Sequence, residues 1–124
     1  MAKAVWAVLM SRDVEGAKAF YAGALGWRFE LFAAEPFPCW IARNPQGRSV
    51  GAFVDSSRSD FPDAPELWLP YFVIDDLDAR LAEAEELGAT LLRPPFRVPN
   101  AGRVALLRQP GGGIVGWITA LPET

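Results

Sequence analysis

Residues 67–92, LWLPYFVIDDLDARLAEAEELGATLL, decide the fold, because residues 4–27, AVWAVLMSRDVEGAKAFYAGALGW, state the same pattern earlier. Each stretch runs from an apolar, aromatic and β-branched segment to an aspartate, then to apolar residues at helical spacing, and closes on Leu-Gly. Asp13 and Asp75 stand 62 positions apart, as do Leu25-Gly26 and Leu87-Gly88, in a chain of 124 residues. Such self-similarity argues for two copies of one supersecondary unit. An aspartate ahead of an apolar stripe can cap a helix, and a glycine behind it supplies the left-handed residue that ends one. The spacing therefore predicts a strand over 4–10 and a helix after Asp13, with Val14, Ala17, Phe20/Tyr21 and Ala24 recurring along it. It predicts the same again over 67–74 and after Asp75 or Asp76, with Leu77, Leu81, Ala84 and Leu87 as the stripe and Gly88 as its end.

Outward from these helices, Trp27–Ala33, Cys39–Arg43 and Arg48–Asp55 read as strands. Pro36 and Pro38 mark the first connection, and Asn44-Pro45-Gln46-Gly47 the turn of a hairpin. The polar, proline-bearing stretch Ser56–Glu66 reads as the linker between copies. Pro70 inside the strand that follows suggests an edge or a bulge. Ala89–Leu92, Arg103–Arg108 and Ile114–Ala120 are expected as strands, separated by Pro94-Pro95 through Gly102 and by Gln109–Gly113. The triple glycine 111–113 precedes no helix and lacks the lysine and hydroxyl of a phosphate loop, so a tight hairpin turn is expected. The fold class is α+β: two tandem βαβββ modules forming a curved mixed sheet around a cavity. A single domain spans 1–124, with repeat 1 at about 1–55, the linker at 56–66 and repeat 2 at about 67–124. A lone unit would leave one sheet face exposed, so each needs the other.

Apolar content of 51% with 22% charged residues describes a globular chain rather than a disordered one. A net charge of −3 with interspersed signs offers no basic stripe, so no nucleic-acid partner is expected. No apolar run approaches the ~18 residues of a membrane span, and no signal-peptide core follows Met1, so a cytoplasmic protein without membrane contact is expected. One cysteine excludes an internal disulfide and fits a reducing compartment. Histidine is lacking altogether, which removes histidine-based triads and imidazole metal sites.

The ordered set of Trp6, Phe20-Tyr21, Leu25-Gly26-Trp27, Val73-Ile74-Asp75-Asp76-Leu77, Gly102-Arg103 and Gln109-Pro110-Gly111 resembles the glyoxalase/bleomycin-resistance/extradiol-dioxygenase family, the vicinal oxygen chelate superfamily. The resemblance covers nearly the whole chain. In metal-dependent members it implies a divalent ion held by side chains, mostly His and Glu, from the first and last strand of each repeat. Those positions fall here on Trp6, Leu69, Gly116 and the vicinity of Ala52, whose neighbours are Gly51 and Phe53. None can bind such an ion through oxygen or imidazole. No metal and no cofactor are expected, and this departure from the family's pattern speaks against glyoxalase, dioxygenase and metal-dependent epimerase chemistry.

Period-two alternation groups residues 6, 8 and 10, residues 69, 71 and 73, and residues 114, 116 and 118 on shared strand faces. If the family geometry holds, Trp6, Val8, Met10, Leu69, Tyr71, Val73, Ile114 and Ile118 line the cavity, while Val5 and Ala7 face the helix layer as core. Aromatic walls suit flat or cationic organic molecules. Trp6 either forms such a wall or fills the space a metal would take. Arg103 either anchors an anionic ligand group or, the favoured reading, pairs with a carboxylate. Trp117 is expected in the core and Trp68 at a mouth or a dimer contact. Five tryptophans, Trp40 among them, exceed what such a core requires, so some are expected to serve binding or association. Cys39 reads as an inert thiol. The function expected is a metal-independent, homodimeric binding protein of the bleomycin-resistance type that sequesters or carries a small aromatic or hydrophobic molecule. The alternative is a metal-independent isomerase, lyase or hydrolase using Tyr71 or a rim carboxylate as acid or base. A third is a regulatory or subunit-interaction role without a ligand.

Overall fold

The computed structural model describes residues 5–34, 38–58, 66–99 and 101–120. The chain divides into two compact units, Ala7–Trp68 and Leu69–Thr124 with Met1–Trp6. The first carries β1 (Val5–Ser11) from Ala7 onward, α1 (Val14–Leu25), β2 (Arg28–Ala33), β3 (Cys39–Arg43) and β4 (Ser49–Asp55). The second carries β5 (Leu67–Val73) from Leu69 onward, α2 (Leu77–Glu86), β6 (Thr90–Val98), β7 (Gly102–Arg108) and β8 (Ile114–Ala120).

The two copies share one topology. In the first, the strands run β2-β3-β4-β1, with β1 parallel to β4 and the other pairs antiparallel. The second runs β6-β7-β8-β5, with β5 parallel to β8 and the rest antiparallel. Both are the expected βαβββ modules, each with a mixed sheet.

The capping chemistry read from the sequence holds at both helices. Asp13 accepts from the Gly16 amide at 3.1 Å, and Asp76 accepts from the Ala79 amide at 3.3 Å. Gly26, at φ 72°, ends α1 in the left-handed region. In the second copy Leu87 is the cap, and Gly88 follows it at φ 102°. Each of these glycines sits against the proline of its module's hairpin turn. A Cβ on Gly26 would stand 3.2 Å from Pro45 Cγ, and one on Gly88 would stand 3.6 Å from Pro110 Cγ. Helix end and hairpin tip thus meet in the same way twice. The turns also form as read: the Gly47 amide donates to the Asn44 carbonyl at 2.8 Å and the Gly112 amide to the Gln109 carbonyl at 2.9 Å.

In the first unit, Val14, Ala42 and Phe53 are buried under α1, with Leu9, Tyr21, Trp27, Phe29, Trp40 and Trp68 packed around them. Tyr21 stacks on Trp27 at 4.8 Å between ring centroids and meets Phe53 edge-on at 5.6 Å. In the second unit, Leu77, Leu81 and Ala84 of α2 bury against Ala105, Leu107 and Val115, with Trp117 at the margin.

Four expectations need correction. First, β6 does not stop at Leu92 but continues through Pro94-Pro95 to Val98. It lies at the end of its unit's strand order, and its register against β7 shifts between Arg93 and Phe96, so the prolines occupy an edge bulge where no ladder donor is required. Second, Val5 and Ala7 are exposed, because the core beneath α1 reaches β1 only at Leu9. Third, Phe20 points outward, 63% exposed, while its neighbour Tyr21 turns inward. Fourth, the stretch after β4 opens with a 3-10 turn, Ser56–Arg58. The rest of that linker up to Pro65, and Pro36, lie outside the described residues.

Candidate functional site

A strand buries alternate residues on alternate faces, so the residues packed under each helix settle which ones face the other way. In the second unit, Ala105 and Leu107 of β7 and Val115 and Trp117 of β8 lie under α2. Val104, Leu106, Gly116 and Ile118 therefore occupy the opposite face. The register aligns Tyr71, Gly116, Leu106 and Arg93 in one row across β5, β8, β7 and β6. The next row is Val73, Ile118, Val104 and Phe96.

This face is apolar and largely buried. Leu69, Tyr71, Val104 and Leu106 are buried, whereas Val73, Phe96 and Ile118 are half-buried. The Tyr71 ring lies across Gly116: a Cβ built there would stand 2.6 Å from Tyr71 Cδ1 and 2.7 Å from Cε1. Only glycine leaves that room.

In the first unit, Leu9 packs with the α1 core, so Val8 and Met10 take the other face of β1, where both are buried. Val8 is in register with Ala52 of β4, and Met10 with Val54, itself paired with Cys39 of β3. Trp6, half-buried, falls on the same side of its strand as Val8 and Met10. Burial pushes the Cys39 thiol above its ordinary pKa, against a smaller lowering by a backbone hydrogen bond at Ala33.

The structure thus groups Leu69, Tyr71 and Ile118 on one face of the second unit, and Val8 and Met10 on one face of the first. Arg103 joins neither group. It alternates onto the helix side of β7, where its two terminal nitrogens donate to Asp78 at 2.7 and 3.1 Å. That hydrogen bonding holds the Asp78 carboxyl below its ordinary pKa. Trp68, expected at a mouth or a dimer contact, is instead part of the first unit's core, its indole N–H donating to the Tyr21 hydroxyl at 3.0 Å. Trp27, Trp40 and Trp117 pack in the helix-side cores as well, leaving Trp6 as the tryptophan outside them.

The divalent ion implied by the resemblance does not fit these residues. At the last-strand position Gly116 brings no donor, and the space a donor side chain would need is filled by the Tyr71 ring. Among the described residues no three His, Cys, Asp or Glu side chains come together as a cation site.

Arg93 and Phe96 were missed from sequence. Arg93 is 9% exposed, and its guanidinium carbon lies 4.1 Å from the centre of the Phe96 ring. Burial pushes its pKa below the ordinary arginine value. The available signal was a single cation inside LLRPPF, hidden by reading the prolines as the end of the strand.

A sequence profile described as the Glyoxalase/Bleomycin resistance protein/Dioxygenase superfamily matches residues 3–115. The chain is 27% identical over 115 residues to the Mycobacterium bovis protein named "Putative glyoxylase CFP32", covering 90% of this chain and 43% of that protein. It is 28% identical over 119 residues to the anthracycline biosynthesis protein DnrV of Streptomyces peucetius, covering 86% of this chain and 43% of the relative. The chain thus spans less than half the length of these curated relatives. Among solved structures, Streptomyces coelicolor methylmalonyl-CoA epimerase superposes with a TM-score of 0.63 at 18% identity, over 97% of this chain and 95% of that one. At that identity the likeness speaks to the fold. No helix among the described residues is long and apolar enough to cross a membrane.

Proposed function

We propose, from the premise that this chain belongs to the glyoxalase/bleomycin resistance protein/dioxygenase superfamily, that it binds a small aromatic or hydrophobic molecule without the help of a metal ion. The observation that carries this reading is the Tyr71 ring lying over Gly116, a position at which the resemblance implies a ligand side chain in metal-dependent members. Half-buried Val73, Ile118 and Phe96, in the neighbouring row, supply apolar surface for a flat molecule. The kinship with a protein named for anthracycline biosynthesis is consistent with a flat polycyclic ligand. Sequestration or carriage of the molecule, by a cytoplasmic homodimer, is the form of the activity we propose.

The second reading, a metal-independent isomerase, lyase or hydrolase, is favoured by one feature: Tyr71, which belongs to this same face, carries a phenol, a group able to act as acid or base. Thermal-shift and calorimetric screening against polycyclic aromatic compounds, with and without EDTA, tests the proposal. Stabilisation that survives EDTA, with the compound recovered unchanged, supports binding alone. Recovery of a converted product moves the assignment to the enzyme. A stoichiometric ion by elemental analysis, whose removal abolishes binding, overturns both.

A further inference from the structure

β2 closes the strand order of its unit, paired with β3 on one side and with no described strand on the other. From Arg28 to Leu31 its register against β3 is regular, and the irregularity begins only beyond Leu31. Three side chains of that run are exposed: Arg28, Glu30 and Leu31. Charge on an outermost strand is ordinary, but an apolar side chain left open there is not. Leu31 is 57% exposed, although Trp40, opposite it in β3, packs into the core under α1. The charges are also awkwardly placed within one chain. Arg28 stands directly opposite Arg43, and like charges facing each other across a ladder are destabilising. Glu30, on the same face of β2 as Arg28, pairs with Arg43 at 3.1 Å, yet its side chain stays 66% exposed, open to a second cation.

A reversed copy of the same run resolves these features together. Laid antiparallel about a two-fold axis at Phe29, the strand sets Arg28 against the partner's Glu30, and Glu30 against the partner's Arg28. Leu31 then faces the partner's Trp27, a half-buried ring of the same helix-side layer. The smallest slip that keeps each face on its own side is two residues. In one direction it opposes Arg28 to Arg28, and in the other Glu30 to Glu30. Charge thus selects a single register, and it selects this chain's own sequence as the partner. We propose that β2 is the strand through which two copies of this chain join, antiparallel, with Arg28 and Glu30 exchanged across the axis. This rests on the homodimer reading above and names its surface. With a net charge of −3 on each copy, long-range attraction does not bring them together, so the attraction has to be local.

The test is sedimentation equilibrium of the parent, of Arg28→Glu and of Glu30→Arg, each alone, and of the two variants mixed in equal amounts. Either variant alone opposes like charges at both crossings, so its dimer should weaken by about tenfold or more. The mixture restores unlike pairs at both crossings and should dimerise as the parent does. Urea midpoints close to the parent's show that the variants are folded. Leu31→Lys, at a position the monomer leaves open, should weaken the dimer as well. Single variants that dimerise like the parent overturn the proposal and leave the homodimer to another surface, as does a folded mixture that stays monomeric. Unchanged affinity in Leu31→Lys overturns it whether or not the charge variants fold. A parent that keeps the mass of a single chain at every concentration removes the homodimer reading and this inference with it.

Discussion

Gly116→Ala adds one methyl group at a position where the resemblance implies a ligand side chain in metal-dependent members. Gly116 lies in β8 and is not among the positive-φ glycines, so alanine meets no backbone penalty there. The obstacle is the Tyr71 ring. Three of its carbons would lie 2.6, 2.7 and 2.8 Å from the new Cβ, against 3.4–4 Å for ordinary contact. The ring must retreat by most of an ångström into a face where Leu69 and Leu106 are already buried. Overpacking of this kind costs about 1–3 kcal/mol. Loss of glycine's freedom in the unfolded chain returns about 0.4–1 kcal/mol. The net expectation is a destabilisation of about 1–2 kcal/mol, read as a urea midpoint lowered by roughly 0.5–1 M at unchanged slope. The decisive comparison is the same substitution in a Tyr71→Val background. There the obstructing ring is gone, so Gly116→Ala should be neutral or mildly stabilising, a coupling within the 0.5–3 kcal/mol seen for touching residues. An equal cost in both backgrounds would refute the placement of Tyr71, and with it the account of why no ligand side chain fits at Gly116.

Two further outcomes are expected. Tyr21→Phe removes the hydroxyl that accepts from the Trp68 indole while leaving the stack on Trp27, so it should cost about 0.5–1.5 kcal/mol in urea unfolding; no change would show that this hydrogen bond contributes nothing. Arg103→Ala should lower stability slightly at neutral pH. Because Asp78's folded pKa is depressed, its contribution is present above the ordinary aspartate value of 3.8 and is lost as the pH falls through the lower folded value. The stability gap between Arg103→Ala and the parent should therefore close in acid. A gap that persists there contradicts the placement of Arg103.

The modules were legible because their signals are local. Asp13, Asp76, Gly26 and the two hairpin turns each act within a few residues, and the repeat multiplies the signal. The faces of β5 and β8 followed as well, since strict alternation holds in both. What failed was long-range or irregular. A bulge carries Arg93 across its sheet, and no periodicity rule anticipates a register shift. Arg103 finds its partner 25 positions earlier in the chain, and Trp68 finds Tyr21 47 positions earlier, distances over which composition says nothing of who meets whom. The aromatic surplus read as a binding surface is mostly core, because a helix as rich in alanine and glycine as α1 leaves a gap that large rings fill.

The proline pair in β6 also bears on how copies of this protein can meet. An edge strand is a row of backbone donors and acceptors that a foreign strand can adopt as a template, the first step toward fibrils and uncontrolled association. Pro94 and Pro95 delete two consecutive donors from the middle of this nine-residue edge, and the bulge bends what is left. The regular runs remaining are Thr90–Leu91 and Phe96–Val98, each too short to hold an incoming strand in register. Growth by sheet extension is blocked along that margin, and any symmetric pairing of two chains has to proceed through side-chain surfaces or another strand. Replacing both prolines with threonine would restore the ladder and, with it, the hazard of polymerisation.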